Sequence, residues 1–305
     1  TTQTSTGYGS DDRWINENFG STKVHSRQDF ELGQADVLGE PHYFSRTAVT
    51  SVAGASNFVA KSQRIESVRT AAGASSVTVS FEGRANTPMA MGVELSQSFG
   101  TGGTPSADVN IAPQVVNLTT SWQAFRLTFS IPSIAGKVAG SDKNDYLILA
   151  FWFDSGSTYD ARSGIGQQSG TFDIAKVSFN IGDTTPLSDP FENRSIGEEL
   201  ALCQRFYQKS YNLDVVPGQE NDNGIVYSQR HPTTSTYTPV SLKTRMRAHP
   251  SVTTYSIGTY SYAGFVRATN DDSYFESIIY RTGETAFMVG AEINSVQSPI
   301  EFHYT

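Results

Sequence analysis

One cysteine in 305 residues, Cys203, excludes an intramolecular disulfide and any cysteine-built zinc cluster. Its place on the apolar side of a helical segment makes it a small buried hydrophobe. Charge is also scarce. Only 17% of the chain is Asp, Glu, Lys or Arg and the balance is −8, so no basic field exists to follow phosphates and nucleic-acid binding is disfavoured. No apolar run approaches the ~20 residues of a membrane-spanning helix, and the start has no charged region leading into an apolar core. Neither membrane insertion nor a secretory signal is expected. The five histidines, His25, His42, His231, His249 and His303, are scattered, with no pair spaced to share a helix face around a metal. Gly100-Thr101-Gly102-Gly103 lacks the Lys and the following helix of a phosphate cradle, and reads as a hairpin loop. No repeat of fixed period argues for a propeller or solenoid.

What is abundant is Ser, Thr, Gly and Asn, and with them apolar alternation of period two. Val77, Val79 and Phe81 alternate with Thr78, Ser80 and Glu82, and Phe125, Leu127 and Phe129 with Arg126, Thr128 and Ser130, as half-buried strands do. Gly-rich and polar clusters separate them, among them 139–142 and 164–166. The pattern predicts an all-β chain: an antiparallel jelly-roll β-sandwich over residues 8–185, a linker and short helix over 186–212, and a second, smaller β-sandwich over 213–305. The stretch before Tyr8 is expected to be extended, with order beginning near Trp14. Pro186 and Pro190 interrupt the pattern and mark the linker. The run Gly197–Tyr207 is the one strongly helical segment, with Leu200, Cys203 and Tyr207 on one face. Strands are expected at 224–228, 240–246, 251–256, 273–280 and 286–293.

No nucleophile elbow or metal pair points to catalysis. Glycoside hydrolysis needs two carboxylates about 5–9.5 Å apart. Glu82 and Glu94, if on adjacent strands of one sheet face, are the candidates, with Asp154 and Asp160 near a strand end. Binding is the stronger class. A sugar presents apolar C–H faces rimmed by hydroxyls and needs an aromatic platform with polar partners. On the strand 146–153, Tyr146 and Trp152 share a side while Leu147, Leu149, Phe151 and Phe153 face the other way, which should be the core. Tyr146 and Trp152 are therefore expected to line a sheet face, with Glu82, Glu94, Arg126 and Gln63 as polar neighbours. Trp122, ahead of an alternating strand, reads as core filler. In the second unit, Tyr residues interleaved with small polar ones form an adaptable recognition chemistry, with the loop carrying Tyr260 and Tyr262 at its tip.

Five motifs, Asp11-Asp12-Arg13-Trp14, Gln63-Arg64-Ile65-Glu66-Ser67-Val68-Arg69, Thr119-Thr120-Ser121-Trp122-Gln123-Ala124-Phe125, Gly170-Thr171-Phe172-Asp173-Ile174-Ala175 and the helical run from Gly197, occur in that order. Over roughly residues 8–210 the chain resembles the C-terminal, carbohydrate-binding-like region of bacteriophage tail fibres, and Met246-Arg247-Ala248-His249-Pro250 continues the resemblance. The resemblance implies a non-enzymatic virion appendage that engages a host-surface glycan. It also implies other virion proteins as partners and a homotrimer, to which the apolar helix face would contribute. A head fibre or capsid decoration protein, and a glycan-degrading tailspike-type enzyme, are the alternatives. The chain opens at Thr1 without a Met, which suggests a fragment or a processed product with a stalk upstream. Asp173 stands where carbohydrate-binding jelly rolls carry an acid near a structural calcium, which Glu17 would join if the terminal strands pair.

Overall fold

The structure, a computed structural model, describes residues 2–9, 11, 13–39, 41–228, 235–257, 262–268, 273–292 and 300–305. The chain divides into two compact units, Thr1–Asn193 and Arg194–Thr305.

The first unit is built from β1 (Thr2–Gln3), β2 (Trp14–Phe19), β3 (Thr22–Asp29), β4 (Tyr43–Thr50), β5 (Phe58–Glu66), β6 (Ser76–Ala85), β7 (Met89–Ser98), β8 (Val109–Leu118), β9 (Gln123–Ser130), β10 (Tyr146–Ser155) and β11 (Gly170–Ile181), with one short helix, α1 (Asp160–Ser163). Six strands pair in the order β1-β3-β4-β11-β6-β9 and five in the order β2-β5-β10-β7-β8. From β4 onward the chain passes back and forth between the two sheets except at the β7–β8 hairpin, and every pairing is antiparallel, which makes the unit a jelly-roll sandwich. The expected alternation is present. Leu147, Leu149, Phe151 and Phe153 of β10 meet Val77, Val79, Phe81 and Phe129 of the facing sheet in one buried cluster. Truncating a side chain such as Phe151 to Ala there costs ~3–5 kcal/mol.

Order begins earlier than Trp14. Thr2 and Gln3 pair with Ser26 and His25. The reason is polar rather than apolar. Gln3 is buried, its amide donates to the carbonyls of Ser5 and Gly7, and its oxygen accepts from Asn16. Nearby, one end of the inter-sheet space is charged. Lys61 reaches across from β5 to Asp11 and to Ser45 Oγ (2.9 Å), and His25 Nε2 lies 2.6 Å from the other Asp11 oxygen. His25 is fully buried, and its Nδ1 meets Thr47 Oγ1 at 3.2 Å.

Strand β11 carries a bulge. Asp173 and Ala175 face outward before it, Ser178 and Asn180 after it, with the register shifting between Ala175 and Ser178. Lys176 takes up the extra residue at φ 50°, the left-handed region that L side chains rarely adopt.

In the second unit, the helix α2 (Ile196–Gln204) starts at Ser195, whose hydroxyl accepts from the Glu198 N–H while the Glu198 carboxylate accepts from the Ser195 N–H. It ends at Gln204, short of the expected Tyr207, and has no fully buried residue; Cys203 is half-buried, not buried. The helix falls inside this unit, and residues 186–193 fall inside the first. Its strands are β12 (Val226–Tyr227), β13 (Ser235–Ser241), β14 (Thr254–Tyr255), β15 (Phe265–Ala268), β16 (Tyr274–Glu276), β17 (Ile278–Tyr280), β18 (Ala286–Glu292) and β19 (Ile300–Tyr304). They form two antiparallel sheets, β12-β19-β15-β16 with β14 on β19, and β13-β18-β17, over a core of Val266, Phe287, Val289, Ile300 and Phe302. β15 and β19 were not expected, and β13 begins before the strand expected at 240–246 and overlaps it only at Val240 and Ser241. Among the described residues no helix is long and apolar enough to cross a membrane.

Candidate ligand-binding cleft

Strand pairing puts Glu82 opposite Ala124 and Ser80 opposite Arg126 on the outward face of the six-stranded sheet. Two segments rise around them to make a cleft of about 320 Å³. One is the loop carrying Ala35, Asp36 and Leu38. The other is the strap 184–191, which leaves β11 and lays Ser188, Asp189, Pro190 and Phe191 along the second wall. Lys176 ties the walls together. Aimed by the bulge, its ammonium donates to the Leu38 carbonyl (2.7 Å) and to Asp189 Oδ2 (2.6 Å). Trp122 and Phe191 supply aromatic surface, while the Phe125 ring stacks on Phe81 on the core side.

The polar atoms inside the cleft are only partly used. Arg126 Nη2 donates to the Ser188 carbonyl (2.7 Å), but among the described residues its buried Nε has no partner, nor does the buried Ser80 Oγ. The Glu82 carboxylate makes no hydrogen bond to a described residue. Burial pushes its carboxyl above the ordinary carboxylate range, against the opposing pull of Lys176 and Arg126. Burial works upward on Asp189 as well, but hydrogen bonds from Lys176 and the Phe191 N–H hold it below that range. Unpaired buried donors and acceptors cost ~1–3 kcal/mol each, so a ligand that completes them recovers that cost.

The expected grouping of Glu82 and Arg126 with Glu94, Tyr146 and Trp152 does not form. Strand β6 belongs to the six-stranded sheet and β7 and β10 to the five-stranded one, so Glu82 and Glu94 occupy opposite outer faces of the sandwich. Gln63 pairs with Leu149 and Trp14 and so shares their core side. Trp152 does leave the main core as its parity requires, but it is 3% exposed. The loop 156–168 closes over it with Tyr159, Ile165 and Arg162, and packs so close that a Cβ on Gly92 would sit 2.0 Å from the Ser163 carbonyl oxygen. Underneath, Glu94 is fully buried and accepts from Trp152 Nε1 (2.9 Å) and from both Arg162 Nε (2.8 Å) and Nη2 (3.1 Å). Tyr146 is half-buried on the same face, with the Arg64 guanidinium 4.7 Å over its ring. Trp122 is half-buried against Phe30, Phe44 and Arg84, and it edges the cleft as well as filling space.

Asp173 and Glu17 do not fit a calcium site. Arg46 holds both Asp173 oxygens (2.7 and 2.8 Å), and Arg84 adds a third contact (2.9 Å). Glu17 lies on the other sheet and accepts from Ser62 Oγ (2.9 Å). Calcium needs six to eight oxygens, and among the described residues no group of three or more His, Cys, Asp or Glu is placed to hold a metal ion. In the second unit, Tyr262 is 46% exposed and packs edge-on against Phe265 and Tyr274. Tyr260 lies outside the described residues.

Ser80, Lys176 and Asp189 were missed as site residues. Ser80 looks like an ordinary outward strand position, and the two prolines of the strap read as linker. A Lys in the middle of a strand at the point where outward parity changes was the available signal.

No known sequence family and no curated protein matches the chain. Among solved structures it is similar to the family 11 carbohydrate-binding module from Clostridium thermocellum in complex with a mixed-linked tetrasaccharide, at 10% identity over 59% of this chain and 95% of that one, TM-score 0.37. It is also similar to the CBM22-2 xylan-binding domain of Paenibacillus barcinonensis Xyn10C, at 11% identity over 56% and 92%, TM-score 0.34. A third is the enzymatically active domain of tailspike protein 4 of Bacteriophage CBA120, at 11% identity over 56% of this chain and 19% of that one, TM-score 0.32. These neighbours are mostly carbohydrate-binding modules, and the jelly roll itself follows from the strand order given above.

Proposed function

We propose that the chain is a non-enzymatic glycan-binding protein and that it binds through the cleft on the outer face of the six-stranded sheet. The observation that carries this reading is the side-by-side placement of the Glu82 carboxylate, the Ser80 hydroxyl and Arg126 Nε, all without partners among the described residues, in a cleft edged by Trp122 and Phe191. A carboxylate and a guanidinium N–H bind hydroxyls, and rings take the C–H face of a sugar. The motif resemblance supports a finer reading, in which the chain is part of a phage tail fibre carried on the virion. There, as a homotrimer beside other virion proteins, it adsorbs to a host-surface glycan. Weak single sites then add into tight attachment through copy number.

One observation favours a second reading. Glu82 and Asp189 are pushed in opposite directions across one cleft, the pattern of an acid and a base in glycoside hydrolysis. Binding is preferred because the Asp189 carboxylate is already committed to Lys176 and the Phe191 N–H. The test is pull-down of the purified chain on a panel of bacterial strains before and after periodate oxidation of surface sugars, with native mass and a reducing-end assay in parallel. Capture by a trimer that is lost on oxidation, with no new reducing ends, is the expected result. Capture that survives oxidation overturns the glycan reading, and release of reducing ends overturns the non-enzymatic one.

A further inference from the structure

We infer that the cleft selects an uncharged, hydroxyl-rich sugar unit and that Glu82 is the residue that rejects anionic sugars. The inference rests on the cleft being the glycan site.

The argument is one of charge and free valence. Three carboxylates, Asp36, Glu82 and Asp189, line the cleft against two cations, Arg126 and Lys176. One cation is paired with a carboxylate and the other is anchored by a carbonyl. Lys176 spends its ammonium on the Leu38 carbonyl and on Asp189, and Arg126 turns Nη2 onto the Ser188 carbonyl. A bidentate clamp for a carboxylate or sulfate needs a guanidinium not already facing a carboxylate, and here the Arg126 guanidinium acts on Glu82 in the same cleft. An anionic sugar would therefore enter a cleft with one more carboxylate than cations, where Lys176 is already paired with Asp189 and the Glu82 carboxylate repels it.

A neutral sugar meets a matching set. Each hydroxyl both donates and accepts, so a vicinal diol can donate to the two Glu82 oxygens. A neighbouring ring or hydroxyl oxygen can accept from Arg126 Nε, and the Ser80 hydroxyl, on a residue 5% exposed, can serve in either sense. The volume, about 320 Å³, is near the lower end of ligand clefts, which run ~300–1,000 Å³, and suits a short sugar unit rather than a long polymer face. The upward push of burial on Glu82 fits the same picture, because a desolvated carboxylate gains most from hydroxyl donors.

The experiment is a printed array of neutral hexose and pentose oligosaccharides, uronic-acid oligosaccharides and amine-bearing chitosan oligomers, probed with the full chain. Calorimetric titration of the best neutral and uronic ligands then follows on wild type, Glu82→Gln, Ser80→Ala and Arg126→Lys, each checked for an unchanged thermal midpoint. Neutral sugars should bind at least tenfold more tightly than uronic ones, and Glu82→Gln should weaken neutral binding while narrowing that gap. Preference for uronic or amine-bearing sugars, with the cleft variants still altering affinity, overturns the charge selection and leaves the cleft as the site. Sugar binding that no cleft variant changes overturns the cleft and the inference together. An array on which nothing binds overturns the glycan reading itself.

Discussion

The indole N–H of Trp152 donates to Glu94 Oε2 at 2.9 Å, and Arg162 grips the same carboxylate from the loop above while its guanidinium carbon lies 5.3 Å from the Trp152 ring centroid. The fully buried Glu94 is thus neutralised and hydrogen-bonded, as a charge withdrawn from water must be. Glu94→Ala should cost ~3–5 kcal/mol by stranding Arg162 and the indole N–H. Trp152→Phe, which removes only the donor and some volume, should cost less. Denaturant melts measure both, and Trp152→Phe should leave sugar affinity unchanged.

Binding in the cleft should depend on pH through Glu82. Its carboxyl is pushed up, so protonation begins at a higher pH than for an exposed Glu, and the protonated group no longer accepts from both hydroxyls of a diol as a charged bidentate acceptor. Affinity should fall as the solution is acidified through that raised range. Glu82→Gln should give weaker but flat binding, and calorimetry across pH reads the difference. Because the fold favours the protonated form, the same substitution should not lower the melting temperature.

Stability should fall on acidification for a separate reason. Burial, helped by Lys23 and the N-terminal amine, lowers the His25 pKa to about 4 from an ordinary 6.5. Asp11 contacts both His25 and Lys61, and burial lowers the Lys61 pKa too. Between those two values the unfolded chain binds the extra proton and the fold does not. His25 therefore contributes nothing unfavourable above pH 6.5, and stability drains away as pH falls from there toward 4. The loss is at most about 3 kcal/mol. Thermal melts of wild type and His25→Gln should diverge in slope over that window and run parallel above it.

Asp173→Ala should lower stability by ~1–3 kcal/mol, because it leaves Arg46 and Arg84 facing each other without their shared acceptor. Both guanidiniums are about one-third exposed, which favours the lower end. Calcium or a chelator should leave the wild-type melting temperature where it is, and scanning fluorimetry decides.

The sandwich was legible where side chains alternate. Leu147, Leu149, Phe151 and Phe153 against Tyr146 and Trp152 state which side of β10 is core, and the structure follows that division. What alternation leaves open is what lies above the outward side. Trp152 points out of the core and is nonetheless covered, because Gly92 has no side chain to keep the loop 156–168 away and Glu94 gives that loop an anchor. Sheet membership was the second gap. Glu82 and Glu94 are close in sequence and carried by consecutive strands, but a jelly roll sends consecutive strands to opposite sheets. The residues chosen for a sugar site thus included two that share a cleft, Glu82 and Arg126, while of the groups that complete it Ser80 and Lys176 look like ordinary strand positions and Asp189 sits on a strap without periodicity.

The bulge at Lys176 has a bearing on how this chain can vary. An extra residue within a strand reverses the parity of everything after it, so Val177 and Phe179 face the core although Asp173 and Ala175 before the bulge face outward. Insertions and deletions in the hairpin loops would pass unnoticed by the fold. A single deletion at Lys176 would flatten the bulge and leave Phe179 in the core, but it would cut the tether that holds the two cleft walls together. Among descendants of this chain, length should be free to drift at the hairpins and be held invariant in the middle of β11.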